Sequence, residues 1–435
     1  MAISPASRTC AEACAKASLN RARRSTACSP LFADWVPRSF GTPGPGYLAY
    51  IPGGGVYPAA LASFIADAVN RYTGIWQAAP ALVQLEANTL ECRYWTHFTL
   101  RTRAVHTRWI DGDVQCHAGA REQRLGTDIR AGTLRLIAIA PLHQQQGGAS
   151  GGHRTIAWVI EVDAQKYRMR LMHSALPSTP TVLVGLKPFM VFSTAGTTNT
   201  GAVDPIDAVA DLAAREGLWH HVDGAYGGFF HMVPELRHLL SGLSRADSLT
   251  LDPHKGLFLP YGTGALLVRD GEALRHLHSS SAGYLPANQS EFYDPAQYGP
   301  DLSRGFPGLR VWLTLKFFGA ARYRAALAEK RALAVRAAEE ISRIPGIVMD
   351  AWPDLSLFAF HLEGAALDTL EKQNAATRAL MQNVTARGQI MMTGAQVGKR
   401  FLGRVCVLSF RTRMAQIQAC VEQLRQEAAC LLRSE

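Results

Sequence analysis

Three residues able to do chemistry stand just beyond short apolar runs: Thr194 after FMVFS (189–193), Asp223 after LWHHV (218–222), and Lys255 shortly after SLTL (248–251). Each is weak evidence alone. A lone lysine after a histidine is ordinarily a solvated loop residue, and a lone aspartate after a strand is ordinarily a cap or turn residue. The chain, however, holds only eight lysines against 37 arginines. A lysine set between an apolar strand and the run GLFLPYGTGALLV (256–268) is therefore poorly explained as surface decoration. Burial there would depress its pKa, as a nucleophilic amine requires.

The elements that must position these residues are legible from 189 onward. FMVFS reads as a fully buried strand. The loop TAGTTNTGAVDP (194–205) follows, with Gly196 and Gly201 suited to a tight turn facing a phosphate or a ring. Pro205 can open a helix, in which Ile206, Val209, Ala210 and Ala213 keep helical spacing until Gly217. Leu218–Val222 is the next strand, so the segment is a βαβ unit with parallel strands and a right-handed crossover. Ser248–Leu251 and Gly264–Val268 read as two further buried strands. Thr194, Asp223 and Lys255 thereby fall at the C-terminal edge of one sheet, where open α/β folds bind ligands. Beyond 305 the pattern changes to helices at about 309–318 and 320–343, a strand at 356–362, a helix to about Gly388, a strand at 404–410 and a terminal helix. This describes a smaller α+β unit attached by a long helix.

TAGTTNTGAVDP, HVDGAYGG (221–228) and ADSLTLDPHKG (246–256), in this order, resemble the group II pyridoxal-phosphate decarboxylases related to aromatic-L-amino-acid decarboxylase. PGYLAYIPGGGVYPAALASF (45–64), APALVQLEANTLE (79–91) and LSRGFPGLRVW (302–312) extend the resemblance over about 38–90 and 189–432. It implies an α/β, aspartate-aminotransferase-like fold (PLP fold type I) with a mixed, mostly parallel seven-stranded sheet and a smaller C-terminal α+β domain. The implied divisions are an N-terminal segment to 75, a large cofactor-binding domain over 76–315 and a small domain over 316–435. It also implies a cytoplasmic homodimer with shared active sites that decarboxylates an L-amino acid with pyridoxal 5'-phosphate as cofactor; HVDGAY and PGYLAYIPGG suit an aromatic or medium-sized side chain. Lys255 would hold the cofactor as a Schiff base, with His254 beside that linkage. Asp223 would pair with the pyridine nitrogen, Ala225 would lie flat against one ring face, and Thr194 would reach the ring hydroxyl. Asp252 falls near the phosphate in such enzymes. An anion there would repel phosphate, so its side chain is expected to cap backbone N–H groups. The loop at 279–302 exceeds the usual length of a plain connection and reads as a lid, whose Tyr284 would protonate Cα after carbon dioxide leaves, in the partner's site.

Between about 92 and 188 the family pattern is interrupted. A glycine-rich phosphate loop and a ring-stacking histidine are expected here, but 105–116 reads VHTRWIDGDVQC. His143 lies within a residue of the stacking position, among neighbours that do not match. GASGG (148–152) has the spacing of a serine nucleophile elbow, but QQQ precedes it and TIAWVIEV follows, whereas the motif needs a strand before and a helix after. A hydrolase reading is rejected. Our hypothesis for the interruption is that short stretches of 1–30 and 92–188 come from a shifted reading frame. Inspection of the other two frames excludes it if neither restores a phosphate loop and a stacking histidine.

Composition narrows the remaining classes. The chain has 435 residues, 48% hydrophobic and 18% charged, which predicts a large buried core. No apolar run is long enough for a transmembrane helix. The net charge of +10 comes from residues 1–30 and 91–190, as scattered arginines. A nucleic-acid binder would concentrate them with aromatics on one element, so nucleic acid is not an expected partner. The eight cysteines show no C-x-x-C and no zinc spacing, so no metal is expected and reduced cytosolic thiols are the reading. Residues 1–30 resemble a transit peptide only in composition. Two rivals remain: an aminotransferase or other lyase on the same scaffold, and a catalytically impaired homologue.

Overall fold

The computed structural model describes residues 36, 41–90, 102–106, 135–141, 155–160, 162–163, 165–171, 186–278 and 292–433. Among the described residues two α-helices precede the first sheet, α1 (Tyr57–Val69) and α2 (Pro80–Leu90). The large sheet has seven strands: β1 (Thr102–His106), β2 (Arg135–Pro141), β3 (Thr155–Ile160), β4 (Leu186–Thr194), β5 (Trp219–Asp223), β6 (Ser248–Leu251) and β7 (Gly264–Val268). Their order is β1-β7-β6-β5-β4-β2-β3. The run from β6 through β5, β4 and β2 to β3 is parallel, whereas β7 is antiparallel to both β6 and β1.

The sequence forms these strands because their apolar runs have no polar face to give to water. Phe189 to Phe192 are all buried, and so is every residue of β6 and β7. The helix α3 (Ile206–Glu216) carries its buried residues at 206, 209, 210, 212 and 213, which is one helical face. It ends at Gly217, whose φ of +65° is the left-handed conformation glycine adopts without strain, and its N–H donates to Ala213 O. The crossover β4–α3–β5 then returns to a parallel neighbour of β4. After β6 comes a single helical turn, α4 (Pro253–Gly256), and after β7 comes α5 (Glu272–His278).

The second sheet is wholly antiparallel, in the order β10-β11-β9-β8. It comprises β8 (Ile347–Ala351), β9 (Leu357–Leu362), β10 (Thr393–Val397) and β11 (Arg400–Cys406), and is flanked by α8 (Leu370–Ala386) and α9 (Met414–Leu431). Two helices lead into it, α6 (Gly308–Phe318) and the 22-residue α7 (Ala320–Ile341). The first part of α7 packs Tyr323 and Leu327 into the core under the large sheet. Its second part gives Leu333, Ala334, Ala337, Ala338 and Ile341 to the core of the small one. Full burial of each Leu or Ile is worth about 1.5–3 kcal/mol, so this helix is held from both ends.

Two expectations require correction. The strand expected at 404–410 runs instead from Arg400 to Cys406, because β11 pairs with β10 across the turn at Gly398 and so begins earlier. The strands β8 and β10 were not foreseen. β10 (TGAQV) carries no apolar alternation, and its pairing comes from the hairpin.

Candidate active site

Thr194 and Asp223 are the last residues of β4 and β5 and lie in register with each other. Lys255 sits on the turn α4, which follows the next parallel strand, β6. The three expected residues are thus brought to one edge of three consecutive strands.

Asp252 forms the N-cap position of α4 through its backbone. Its carbonyl accepts from Lys255 N at 2.9 Å and from Gly256 N at 3.2 Å. Its side chain makes no cap hydrogen bond, which corrects the expectation. The carboxylate is completely buried, and Oδ2 lies 2.8 Å from Lys255 Nζ. This is an ionic contact: neither carboxylate oxygen has a hydrogen-bond partner among the described residues. The physical reason is one of cost. A buried anion next to a lysine three residues on gains more from that charge than from backbone amides the helical turn already uses. Between its apolar flanking runs Lys255 thus has a carboxylate neighbour for its ammonium.

His254 is oriented by its other ring nitrogen. Nδ1 donates to Thr263 O at 2.7 Å, which leaves Nε2 facing Asp252 Oδ2 at 3.7 Å. Burial pulls the imidazole pKa below its ordinary value, against the opposing pull of Asp252. The Tyr261 ring stands 5.6 Å away, centroid to centroid. A Cβ on Gly53 would meet that ring at about 3.0 Å, so the glycine-rich segment at 53–55 can lie against it only without a side chain. Gly54 is tighter still: a Cβ would stand 2.3 Å from Phe258 Cα, and its N–H donates to Leu259 O at 3.1 Å.

Asp223 is half-buried, and Oδ1 accepts from Ala225 N at 3.1 Å. Ala225 is buried and its carbonyl accepts from Asp252 N at 3.3 Å, so the β5 end and the lysine turn are stitched together. Thr194 is held by its N–H, which donates to Asp204 Oδ2 at 2.8 Å; Asp204 Oδ1 accepts from Met169 N at 2.8 Å. Burial pushes the Asp204 carboxyl up to about 6, with those two backbone donors pulling the other way.

Tyr226 closes the HVDGAY motif, which is expected to suit an aromatic or medium-sized side chain. It is buried, and its hydroxyl pairs with Ser356 Oγ and accepts from Ser356 N, both at 2.9 Å. It is a strut between the two sheets. Tyr50 and Tyr261 are the exposed tyrosines at this edge. His143 and Tyr284, together with GASGG and residues 1–30, lie outside the described residues.

Two participants were missed. Asp204 could have been suspected from GAVDP, as an acid beside a glycine turn. Arg404 carried no signal, because an arginine on a short strand looks like any other. It is buried, and its guanidinium donates to Asn199 O at 3.2 Å, to Thr393 Oγ1 at 3.2 Å and to Thr198 O. It thus latches the loop after β4 to the small sheet through neutral oxygens.

The donor set fits a pyridoxal ring: an amine, a carboxylate on the adjacent strand, a small residue between them and a threonine at the next strand end. The glycine-rich phosphate loop of the expected pattern does not stand in the sequence at 105–116, most of which lies outside the described residues. Comparisons agree with this chemistry. The model of the family described as "Pyridoxal-dependent decarboxylase conserved domain" matches residues 153–363. The chain is 30% identical over 398 residues to tryptophan decarboxylase 1 of Oryza sativa subsp. japonica, covering 83% of this chain and 76% of that protein. It is 29% identical over 405 residues to an aromatic-L-amino-acid decarboxylase of Bacillus atrophaeus, covering 88% and 82% respectively. Among solved structures, that of Oryza sativa TDC with PLP and tryptamine superposes with a TM-score of 0.87 at 25% identity, over 99% of this chain and 93% of the other.

Proposed function

The chain belongs to the pyridoxal-dependent decarboxylase family, and from that premise we propose that it converts an L-amino acid with an aromatic or medium-sized side chain to its amine and carbon dioxide. Pyridoxal 5'-phosphate, when bound, supplies a ring that accepts the electrons left when the Cα–carboxylate bond breaks. Lys255 would hold its aldehyde carbon and Asp223 its protonated ring nitrogen. Ala225 would cover one ring face, Thr194 would meet the ring hydroxyl, and His143 would stack on the opposite face.

The residues of the chain have separable tasks. Asp252 keeps the Lys255 ammonium at the sheet edge. Burial disfavours the charged form of His254, and with Nδ1–H given to Thr263 O its Nε2 presents a lone pair that can accept a proton beside Lys255. Arg404 holds the loop after β4 against the small sheet, and the exposed Tyr50 and Tyr261 offer apolar faces to a side chain. Tyr284 would donate a proton to Cα, committing the reaction to amine. The remaining architecture is read as aspartate-aminotransferase-like, with a large unit over 76–315 and a small one over 316–435. Free, buried Cys406 and Cys420 suit a cytosolic setting. A homodimer is supported by α1, whose Tyr57, Leu61, Phe64, Ile65 and Val69 form an exposed apolar stripe.

The observation that carries this reading is the placement of Lys255 and Asp223 at the ends of neighbouring parallel strands. Borohydride trapping and peptide mapping of the cofactor-loaded protein should label Lys255. Lys255→Ala should take no label and lose activity by about 10³-fold or more. Keto acid as product, in place of amine and carbon dioxide, would assign the scaffold to transamination.

A further inference from the structure

Beneath Asp223, one face of the sheet carries a column of polar groups that the proposed chemistry does not use. Trp219, His221 and Asp223 alternate along β5 and therefore share a face. In the parallel pair with β6, His221 is in register with Ser248 and Asp223 with Thr250, which puts all five side chains on that face. Trp219, His221, Ser248 and Thr250 are all buried.

Their hydrogen bonds have a direction. Trp219 Nε1 donates to Ser248 Oγ at 2.7 Å, and an indole N–H can only donate. Ser248 Oγ also lies 2.8 Å from His221 Nδ1. These are the only side-chain partners of Ser248 among the described residues, so its buried hydroxyl proton goes to Nδ1. That makes His221 the Nε2–H tautomer. Nε2 lies 3.4 Å from Thr250 Oγ1, so this N–H is aimed at the last residue of the column before the sheet edge.

We propose that Trp219, Ser248, His221 and Thr250 form a one-way hydrogen-bond chain that ends on the carboxylate of Asp223, and that His221 and Thr250 are positioning residues for it. This rests on the reading of Asp223 as the partner of the cofactor's ring nitrogen. Donors aimed at a carboxylate favour its ionised form, and an anion there is what keeps that nitrogen protonated. A neutral imidazole serves better than a charged one, because it relays a donor without adding a buried cation. The neighbouring His220, on the opposite face, is pushed down to about 3 by burial and adds no charge either.

The test is cofactor affinity of the full chain, by fluorescence titration with pyridoxal 5'-phosphate, alongside apo-protein melting and the pH response of the bound cofactor's absorption. Thr250→Val keeps the shape and removes the hydroxyl. It should raise the dissociation constant about tenfold and move the absorption titration to lower pH, while the apo melting temperature stays within a few degrees. Thr250→Ser should restore both. Histidine-selective ¹⁵N NMR of the unsubstituted protein should show His221 as the Nε2–H tautomer, and the Nδ1–H form would overturn the chain even if every variant failed to fold. Unchanged affinity and absorption in Thr250→Val and His221→Phe, or a loss of melting temperature alone, would also overturn it. Asp223→Ala separates the two ideas: if it too binds as the parent does, the assignment of Asp223 falls, whereas if it alone loses binding only the chain falls.

Discussion

At the scale of single residues, the amine and its neighbours are balanced by charge rather than by an apolar wall. Lys255 Nζ and Asp252 Oδ2 are 2.8 Å apart, and the carboxylate has no contact with water. Removing that anion takes a full negative charge from 2.8 Å away from a partly buried ammonium. Asp252→Asn should therefore destabilise the apo protein by about 1–3 kcal/mol, read as a lower urea midpoint at unchanged slope. A midpoint equal to that of the parent would mean that the ion pair contributes nothing before cofactor binds. His254 shows the complementary logic: its hydrogen bond to Thr263 O fixes which nitrogen faces the site, a detail no sequence pattern encodes.

At the scale of elements, two polar clusters fasten segments that the hydrophobic pattern leaves loosely defined. Glu86 on α2 is buried and pairs with Arg304, and its Oε2 accepts from Gly308 N at 2.9 Å at the start of α6. A Cβ at Gly308 would stand 2.5 Å from Glu86 Cγ, so the glycine is what lets α6 start this close. Arg304→Met strands a buried carboxylate and should cost about 3–5 kcal/mol in chemical denaturation. In the small sheet, His361 Nδ1 lies 2.6 Å from Asp350 Oδ2 and Nε2 lies 2.8 Å from Glu363 Oε1. Burial works against the imidazolium, but the two carboxylates outweigh it and raise the pKa above the ordinary histidine value. A raised folded pKa contributes stability that is present in full below the unfolded value of about 6.5 and is lost as pH rises through the folded one. The urea midpoint should accordingly fall as pH rises above about 6.5, and His361→Gln should flatten that slope.

At the scale of the whole molecule, two cores share α7, and several struts cross between the sheets: Tyr226 to Ser356, Arg404 to the loop after β4, and Arg168 to Asp354 at 2.6 Å. The site edge of the large sheet is therefore fixed against the small one by polar contacts as well as by packing. The apolar stripe of α1 is the part of the surface least explained by a solitary chain, with Tyr57 74% and Phe64 70% exposed. Phe64→Asp should shift the proposed dimer to monomer in sedimentation velocity, because a charge placed in a desolvated contact has no partner. A parent protein that already sediments as a monomer would remove the dimer from the proposal.

Much of the site was legible without coordinates. The runs FMVFS, LWHHV, SLTL and GALLV became β4 to β7 within a residue or two, except that β4 begins three residues earlier, because a buried strand has a hydrophobic signature independent of its neighbours. With the strands placed, Thr194, Asp223 and Lys255 had to fall on one edge, since a parallel crossover always delivers strand ends to the same side. The sequence could not decide what each polar side chain would pair with. Asp252 turned to Lys255 instead of to backbone amides, Tyr226 turned inward to Ser356 instead of toward a substrate, and Arg404 closed on carbonyls some 205 residues away in the chain. Hydrophobic burial is additive and periodic along a strand or helix, so the chain displays it locally. Buried charges and hydrogen bonds are satisfied only by groups that distant segments bring into place, so their partners exist only once the two sheets have met.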